Sequence, residues 1–415
     1  MKKSTIDWAP FIPEDWEEKR IKDISHLQSG NGITSDDIDE IGLYPVYGGN
    51  GLRGYTDAYT NEGSYVLIGR QGALCGNINY AKDKFFASEH AVVVYPYFKD
   101  ENTTWLGETL RAANLNRLSA SAAQPGLAVS ALNFVMIPYP PKSQRERIGK
   151  YLEEKIPLID TQVELLKKKR DAYTRLKKAM INRSVTRGLD EHVKFKDSGV
   201  EWIGMIPENW EVKRIKDISY MYSGLSGKSG DDFRCDDESI TKCYIPFTNV
   251  LNNTVIDTNH FMRVVMSDEE KQNAVKENDI IFLMSSEDYE SIAKSAVIIG
   301  APGEVYLNSF CRGVRITSKS VYSPFVNYQL NSEVYRDALR FEARGFTRIN
   351  IKTDRITGHF ISLPPFEEQQ KIAAYLDEKC AKIDVTIANI DKQTDALKRL
   401  KRSLINEVIT GQRAV

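Results

Sequence analysis

The sequence predicts an α+β protein built as a tandem repeat: two mixed α/β domains separated by two long antiparallel coiled-coil helices, related by a pseudo-two-fold. Three observations predict it. Ile12 to Ser25 reads IPEDWEEKRIKDIS and Ile206 to Ser219 reads IPENWEVKRIKDIS, so only Asp15/Asn209 and Glu18/Val212 differ. Pro140-Pro141 and Pro364-Pro365 each open a long helical segment, one carrying Tyr151-Leu152-Glu153-Glu154-Lys155 and the other Tyr375-Leu376-Asp377-Glu378-Lys379. Leu152, Ile159, Leu166, Tyr173 and Met180 recur every seven residues, as do Leu376, Ile383, Ile390, Leu397 and Leu404. A repeat this long is a duplicated domain-sized unit rather than a short-period solenoid. A seven-residue apolar period is the seam of a left-handed coiled coil.

Along the chain, each half runs through a lead-in segment, a variable region, a double proline and a long helix. The lead-in echo reaches upstream, where Ile6-Asp7-Trp8 answers Val200-Glu201-Trp202. The lead-in copies are offset by 194 residues and the helices by 224, so the variable region is 30 residues longer in the second half. Those regions, 26–139 and 220–363, share little sequence, as expected of one frame holding two different readers. Tyr65-Val66-Leu67-Ile68, Ala91-Val92-Val93-Val94-Tyr95, Ile280-Ile281-Phe282-Leu283 and Ala296-Val297-Ile298-Ile299 suit buried strands. Gly48-Gly49-Asn50-Gly51, Gly69 and Gly72 punctuate the first region as turns. Some 27 residues of helix from Leu158 would span roughly 40 Å. Pro157 is expected to kink or restart the first helix. The matched seams are expected to pack on each other; the plain alternative is that each helix packs on its own domain. The expected division is 1–141 for the first domain, 142–190 for the central helix, 191–363 for a linker and second domain, and 364–415 for the last helix.

Composition narrows the class. A 415-residue chain with 41% hydrophobic and 27% charged residues can form two full cores. No apolar run approaches membrane-spanning length and MKKSTIDWAP has no apolar stretch after its lysines, which points to the cytoplasm. The net charge of −1 argues against a uniformly basic surface but allows a local one. Lys142–Arg187 is basic, with KKKR at 167–170, although such a run also suits a solvated helix face. Cys75, Cys235, Cys243, Cys311 and Cys380 are scattered without a CxxC pair, so free thiols are expected rather than zinc ligands or disulfides.

The motifs of an enzyme are missing. There is no GxxxxGK[ST], and neither Gly48-Gly49-Asn50-Gly51 nor Gly69-Arg70-Gln71-Gly72 has dinucleotide-loop spacing. A DNA adenine methyltransferase would need a motif such as Asn-Pro-Pro-Tyr to hold the exocyclic amine. Here Tyr139 and Leu363 precede the double prolines, which read as helix-start punctuation. His26, His90, His192, His260 and His359 lie far apart and fit no metal signature. Asp377-Glu378-Lys379 resembles a nuclease triplet, but its echo at Glu153-Glu154-Lys155 marks a solvated helix face.

Lys196-Asp197-Ser198-Gly199-Val200-Glu201-Trp202-Ile203-Gly204, followed by Ile206-Pro207-Glu208-Asn209-Trp210, closely resembles the central segment of DNA specificity subunits of type I restriction–modification systems. So does Leu363-Pro364-Pro365-Phe366-Glu367-Glu368-Gln369 running into Ile372-Ala373 and Tyr375-Leu376. The resemblance covers the whole chain. It implies a non-catalytic subunit in which each of two target-recognition domains reads one half of a bipartite, asymmetric site in double-stranded DNA. The helices would fix the unread spacer and dock two methylation subunits that modify adenine N6, with restriction subunits beyond them. No cofactor is expected in this chain; S-adenosylmethionine, ATP and magnesium would belong to the partners. One departure is visible: Lys142-Ser143-Gln144-Arg145 stands where the second half has Phe366-Glu367-Glu368-Gln369. That puts identical partner contacts at the two ends in doubt. A coiled-coil adaptor binding only proteins, and an enzyme with an unrecognised site, are the competing readings.

Base readout needs donors and acceptors on protruding loops with cations nearby for phosphates. In the second domain Glu342–Lys352 sets Arg344, Arg348 and Lys352 around a glycine turn and Phe346, with Ser285 as a further polar candidate. Solvated arginines on a hairpin are the plain alternative. In the first domain the candidates are Arg70, Gln71 and Asn77, then Arg53 in its glycine-flanked loop, then Lys84 and Gln124.

Overall fold

The computed structural model describes all residues except 73, 99, 120–125, 236, 238, 239, 268, 301 and 302. The chain divides into two compact units, Met1–Lys168 with Ile390–Val415, and Lys169–Asn389. Each unit therefore holds one variable region, the first part of one long helix and the last part of the other.

In the first unit the strands Ser25–Ser29, Ala91–Pro96, Tyr65–Gly69 and Ile78–Ala81 form an antiparallel sheet in that spatial order. Val66, Leu67, Ile68, Val92, Val93 and Val94 are almost fully buried, which explains the continuous apolar runs: both faces of these strands are covered. One face meets Trp105, Leu106 and Leu110 of the helix Thr103–Ala112, and the other meets Phe85 and Ala87 of a second sheet. That second sheet orders Gly51–Thr56, Tyr44–Gly48, Lys84–Ala87 and Asn61–Glu62, with its two middle strands parallel.

The second unit repeats the plan. Ser219–Ser223, Cys311–Ile316, Ile280–Leu283 and Ser295–Val297 form the antiparallel sheet, and Met262–Val265, Thr241–Ile245 and Val305–Leu307 the partner sheet. Ile299, the last residue of one apolar run, lies beyond its strand and is exposed. Matching ladder positions show where the extra length enters. The repeat offset is 194 at Ser29/Ser223, 214 at Gly69/Leu283, 220 at Ala91/Cys311 and 224 at Leu127/Ile351. Most of the added length thus falls between the first and third strands of the second unit.

The repeated lead-in and the segment before each double proline are hydrogen-bonded to each other. Glu17–Arg20 pairs antiparallel with Met136–Tyr139, and Glu211–Arg214 with Phe360–Leu363. Behind each ladder a buried tryptophan, Trp16 or Trp210, fixes the lead-in to the start of a long helix. Ile21 and Ile215 donate their amides to the carbonyls of Val135 and His359. The shared sequence is the mount of each variable region.

The long helices are Lys142–Arg187 and Phe366–Ile409. Pro157 sits inside the first, which continues through it rather than restarting. A proline forfeits one backbone bond there, and the apolar seam on either side keeps the helix seated. The helices run antiparallel within each unit. In the first, Ile148 and Leu152 share a core with Leu404, Ile405, Val408 and Ile409; in the second, Met180, Ile181 and Val185 share one with Ile372, Ala373 and Leu376. All ten seam residues are turned inward: Leu152, Ile159, Leu376, Ile383, Ile390 and Leu404 are buried, and Leu166, Tyr173, Met180 and Leu397 half-buried. Ion pairs fix the register. In the first unit Lys401 reaches Asp160 at 2.7 Å, and in the second Lys177 reaches Asp384 at 2.6 Å. Each lysine and each aspartate is the repeat copy of the other, 224 residues apart, so one interaction is made twice with its partners exchanged.

Candidate nucleic-acid interface

In the second unit the hairpin from Arg344 to Asn350 closes on itself through reciprocal amide–carbonyl bonds of 2.9 and 2.8 Å. Gly345 has φ +144°, and a Cβ there would meet the Arg348 carbonyl at 2.1 Å, so the tight turn requires glycine. Ile349–Asn350 pairs with Ser285–Ser286, which ties the hairpin to the end of the central sheet. Arg348 donates its Nε to Ser285 Oγ at 2.9 Å, and its guanidinium lies 4.3 Å over the Phe310 ring. Lys352, Asn350, Arg312 and Thr353 complete a cleft of about 530 Å³ lined also by Ser309 and Met284. Phe346 stands on the turn, fully solvent-exposed. Arg344 turns back instead: its Nη1 donates to the carbonyls of Phe341 at 2.5 Å and Ala343 at 2.7 Å, which caps the helix Glu333–Glu342.

In the first unit Arg70 donates Nη1 to Ser29 Oγ at 3.2 Å, and Gln71 is exposed in a bridge to Gly126. Asn77 donates Nδ2 to Asn50 Oδ1 at 3.1 Å and accepts from the Ile78 amide, so it joins the two glycine loops. Arg53 is exposed on Gly51–Thr56. Lys84 belongs to different surroundings: its ammonium lies 4.7 Å over the Tyr59 ring and its strand pairs with Glu62. The charges of Tyr59 and then Glu62 hold its pKa above the usual lysine value. Gln124 lies outside the described residues.

The two surfaces correspond position by position. The Arg70 amide bonds the His90 carbonyl at 2.8 Å, and the Met284 amide bonds the Phe310 carbonyl at 2.9 Å. The Leu127 amide bonds the Arg70 carbonyl, and the Ile351 amide bonds that of Met284. Arg70 thus answers to Met284, Gln71 to Ser285 and His90 to Phe310. The frame places the same three positions twice and fills them with different chemistry. Sequence reading missed Phe310, Arg312 and His90: the first two sit at the start of the strand Cys311–Ile316 and His90 just before its counterpart Ala91–Pro96, and no local motif marks them. Among the described residues, no group of three or more His, Cys, Asp or Glu side chains could hold a metal ion.

The model of the type I restriction modification DNA specificity domain matches residues 13–172 and again 207–396, once for each sequence repeat. The chain belongs to this specificity family. It is 24% identical over 414 residues to the type I restriction enzyme MjaVIII specificity subunit of Methanocaldococcus jannaschii, covering 97% of this chain and 93% of that one. It is 42% identical over 128 residues to the EcoprrI specificity subunit of Escherichia coli, a match spanning 29% of this chain and only 32% of that protein. Among solved structures, a chain from a type I R-M system solved for its complex assembly and conformational transition superposes with a TM-score of 0.68 at 14% identity, covering 97% and 99%. The HsdS subunit from Thermoanaerobacter tengcongensis gives 0.53 at 15% identity, covering 97% and 98%. At such identities these two report the fold that specificity-family chains share.

Proposed function

We propose that this chain is a non-catalytic DNA specificity subunit in which each unit reads one half of a bipartite, asymmetric duplex site. The observation that carries this reading is the position-by-position correspondence of the two surfaces. A homodimer would present one chemistry twice, whereas this chain presents His90, Gln71 and Arg70 in one unit and Phe310, Ser285 and Met284 in the other. Arg348, Lys352 and Arg312 supply cations where the second unit would meet phosphates and base edges.

The helices would fix the spacer and dock two methylation subunits that transfer a methyl group to adenine N6, and through them restriction subunits. Exposed aliphatic side chains on otherwise polar helix faces support docking: Leu158, Leu165 and Leu400 in the first unit, Leu176 and Val385 in the second. S-adenosylmethionine, ATP and magnesium would be held by the partners, and the complex would work in the cytoplasm. No described helix is long and apolar enough to cross a membrane. The chain purified with its methylation partner should bind a bipartite duplex with steep salt dependence. Binding of partner without any DNA preference would leave a protein adaptor. Methyl transfer by this chain alone would overturn the proposal. Lys352→Ala should weaken binding at one half-site, with partner assembly intact by size-exclusion chromatography; lost assembly with normal DNA binding would contradict that role.

A further inference from the structure

We infer that Arg348 reads a guanine in the half-site of the second unit, with Phe310 and Ser285 as its positioning residues. This rests on the specificity-subunit reading and sharpens it to one contact. A guanidinium has five N–H donors in a planar fork. In Arg348 the Nε donor is spent on Ser285 Oγ at 2.9 Å, and the plane is held 4.3 Å from the Phe310 ring. Phe310 is itself braced, its amide bonded to Asn308 Oδ1 and its ring set edge-on to Phe247. The backbone of Arg348 is fixed as well, since its carbonyl accepts from Asn350 Nδ2 and abuts Gly345.

What is left is the outer edge of the fork. Nη1 and Nη2 have no protein partner among the described residues, and the residue is exposed. Two parallel donors at fixed spacing match the O6 and N7 acceptors that guanine shows in the major groove. A phosphate contact needs no such fixed plane, because a mobile cation serves as well, and Lys352 and Arg312 border the same cleft to supply it.

The test uses the complete system in cells and reads the methylated motif from the genome. Wild type should give a bipartite motif with a guanine, on one strand or the other, in one half. Arg348→Ala should relax that one position to all bases and lower methylation of the original site on the order of tenfold to a hundredfold, leaving the other half unchanged. Arg348→Lys should fail to restore the preference, because a single ammonium cannot form the fork, and Arg348→Gln should move it towards adenine. Ser285→Ala should lose part of the discrimination with assembly unaffected. Arg348→Lys behaving as wild type, or Arg348→Ala weakening methylation without relaxing any position, would make this a phosphate clamp and overturn the inference. Should Arg348→Ala fail to assemble, the Lys and Gln variants carry the test. A wild-type motif that persists unchanged in all variants removes only this contact. The absence of any bipartite motif in wild type would remove the specificity-subunit reading with it.

Discussion

The two junctions where a lead-in meets its long helix share nearly identical lead-ins but differ at the helix start, and their chemistry is reversed. In the first unit Trp16 Nε1 donates to Gln144 Oε1 at 2.7 Å, and Gln144 Nε2 donates to Asp15 Oδ2 at 2.6 Å. In the second, Trp210 Nε1 donates to Glu368 Oε1 at 3.1 Å, and Asn209 Nδ2 donates to Glu368 Oε2 at 3.1 Å. Amide and carboxylate have changed places. One of the two differences within the repeated fourteen residues is thus compensated by a difference on the helix. The other, Glu18/Val212, follows the same rule: Glu18 accepts from the Thr5 amide and hydroxyl, and the Thr5 position is Gly199 at φ +74° in the second half. At the next residue of each helix, Arg145 and Gln369 both donate to the carbonyl of the first proline, Pro140 or Pro364. The arginine adds a charge that buried Glu101 neutralises at 2.7 Å, while the glutamine uses Ser320 and Tyr322 backbone. Each junction is complementary within itself and incompatible in part with the other, so the departure at Lys142–Arg145 has its reason inside the unit.

Four experiments would break or sharpen this comparison. The largest effect is expected from Glu101→Ala, which strands a guanidinium that is 7% exposed; it should cost about 3–5 kcal/mol in denaturant unfolding. Val321 precedes the helix Ser323–Asn331 as Glu101 precedes Thr103–Ala112, so Glu101→Val with Arg145→Gln together should recover most of that loss. Next comes pH. His359 stands where the first unit has Val135, stacked 4.7 Å from Trp202, and burial pushes its pKa down to about 4. A depressed histidine pKa means that the folded state binds fewer protons. The contribution is complete above the unfolded value of about 6.5 and is lost as pH falls towards 4, roughly 3 kcal/mol in all. The second unit should therefore soften in that window, and His359→Val should abolish the softening in pH-dependent melts. Asn209→Asp should then cost about 1–2 kcal/mol by setting two carboxylates face to face, an effect relieved by Glu368→Gln or by acid. Asp15→Asn should shift stability by less than about 0.5 kcal/mol, because the new side-chain amide oxygen can still accept from Gln144 Nε2 without setting like charges together. Equal melting shifts for Asp15→Asn and Asn209→Asp would show that the exchange of amide and carboxylate has no energetic meaning.

The frame was legible in the sequence because its determinants are local and periodic. The lead-in repeat, the double prolines and the heptads each announce an element, and all ten seam positions turn inward as their spacing demands. The inserts were legible only as strands. Arg348, Phe310 and Ser285 meet across wide gaps in the chain, and long-range pairing of strand ends leaves no periodicity to read. By sequence Arg344 and Lys84 are candidate DNA contacts; in the structure Arg344 caps the helix just before it through the Phe341 and Ala343 carbonyls, and Lys84 covers Tyr59, 25 residues away. Pro157 is expected by sequence to kink or restart the helix, yet packing on both sides carries it through without a restart.

The ladder that clamps the two ends of each variable region, Glu17–Arg20 with Met136–Tyr139 and Glu211–Arg214 with Phe360–Leu363, has one more effect. It turns each insert into a closed loop. The entropy lost on closing a loop grows only with the logarithm of its length, about 0.6 kcal/mol for a full doubling. The 30 residues by which the second insert exceeds the first amount to about a quarter of its length, so closing the larger one costs a few tenths of a kcal/mol more, roughly. With ends so inexpensively held, selection can lengthen or replace what lies between them almost without regard to the stability of the rest.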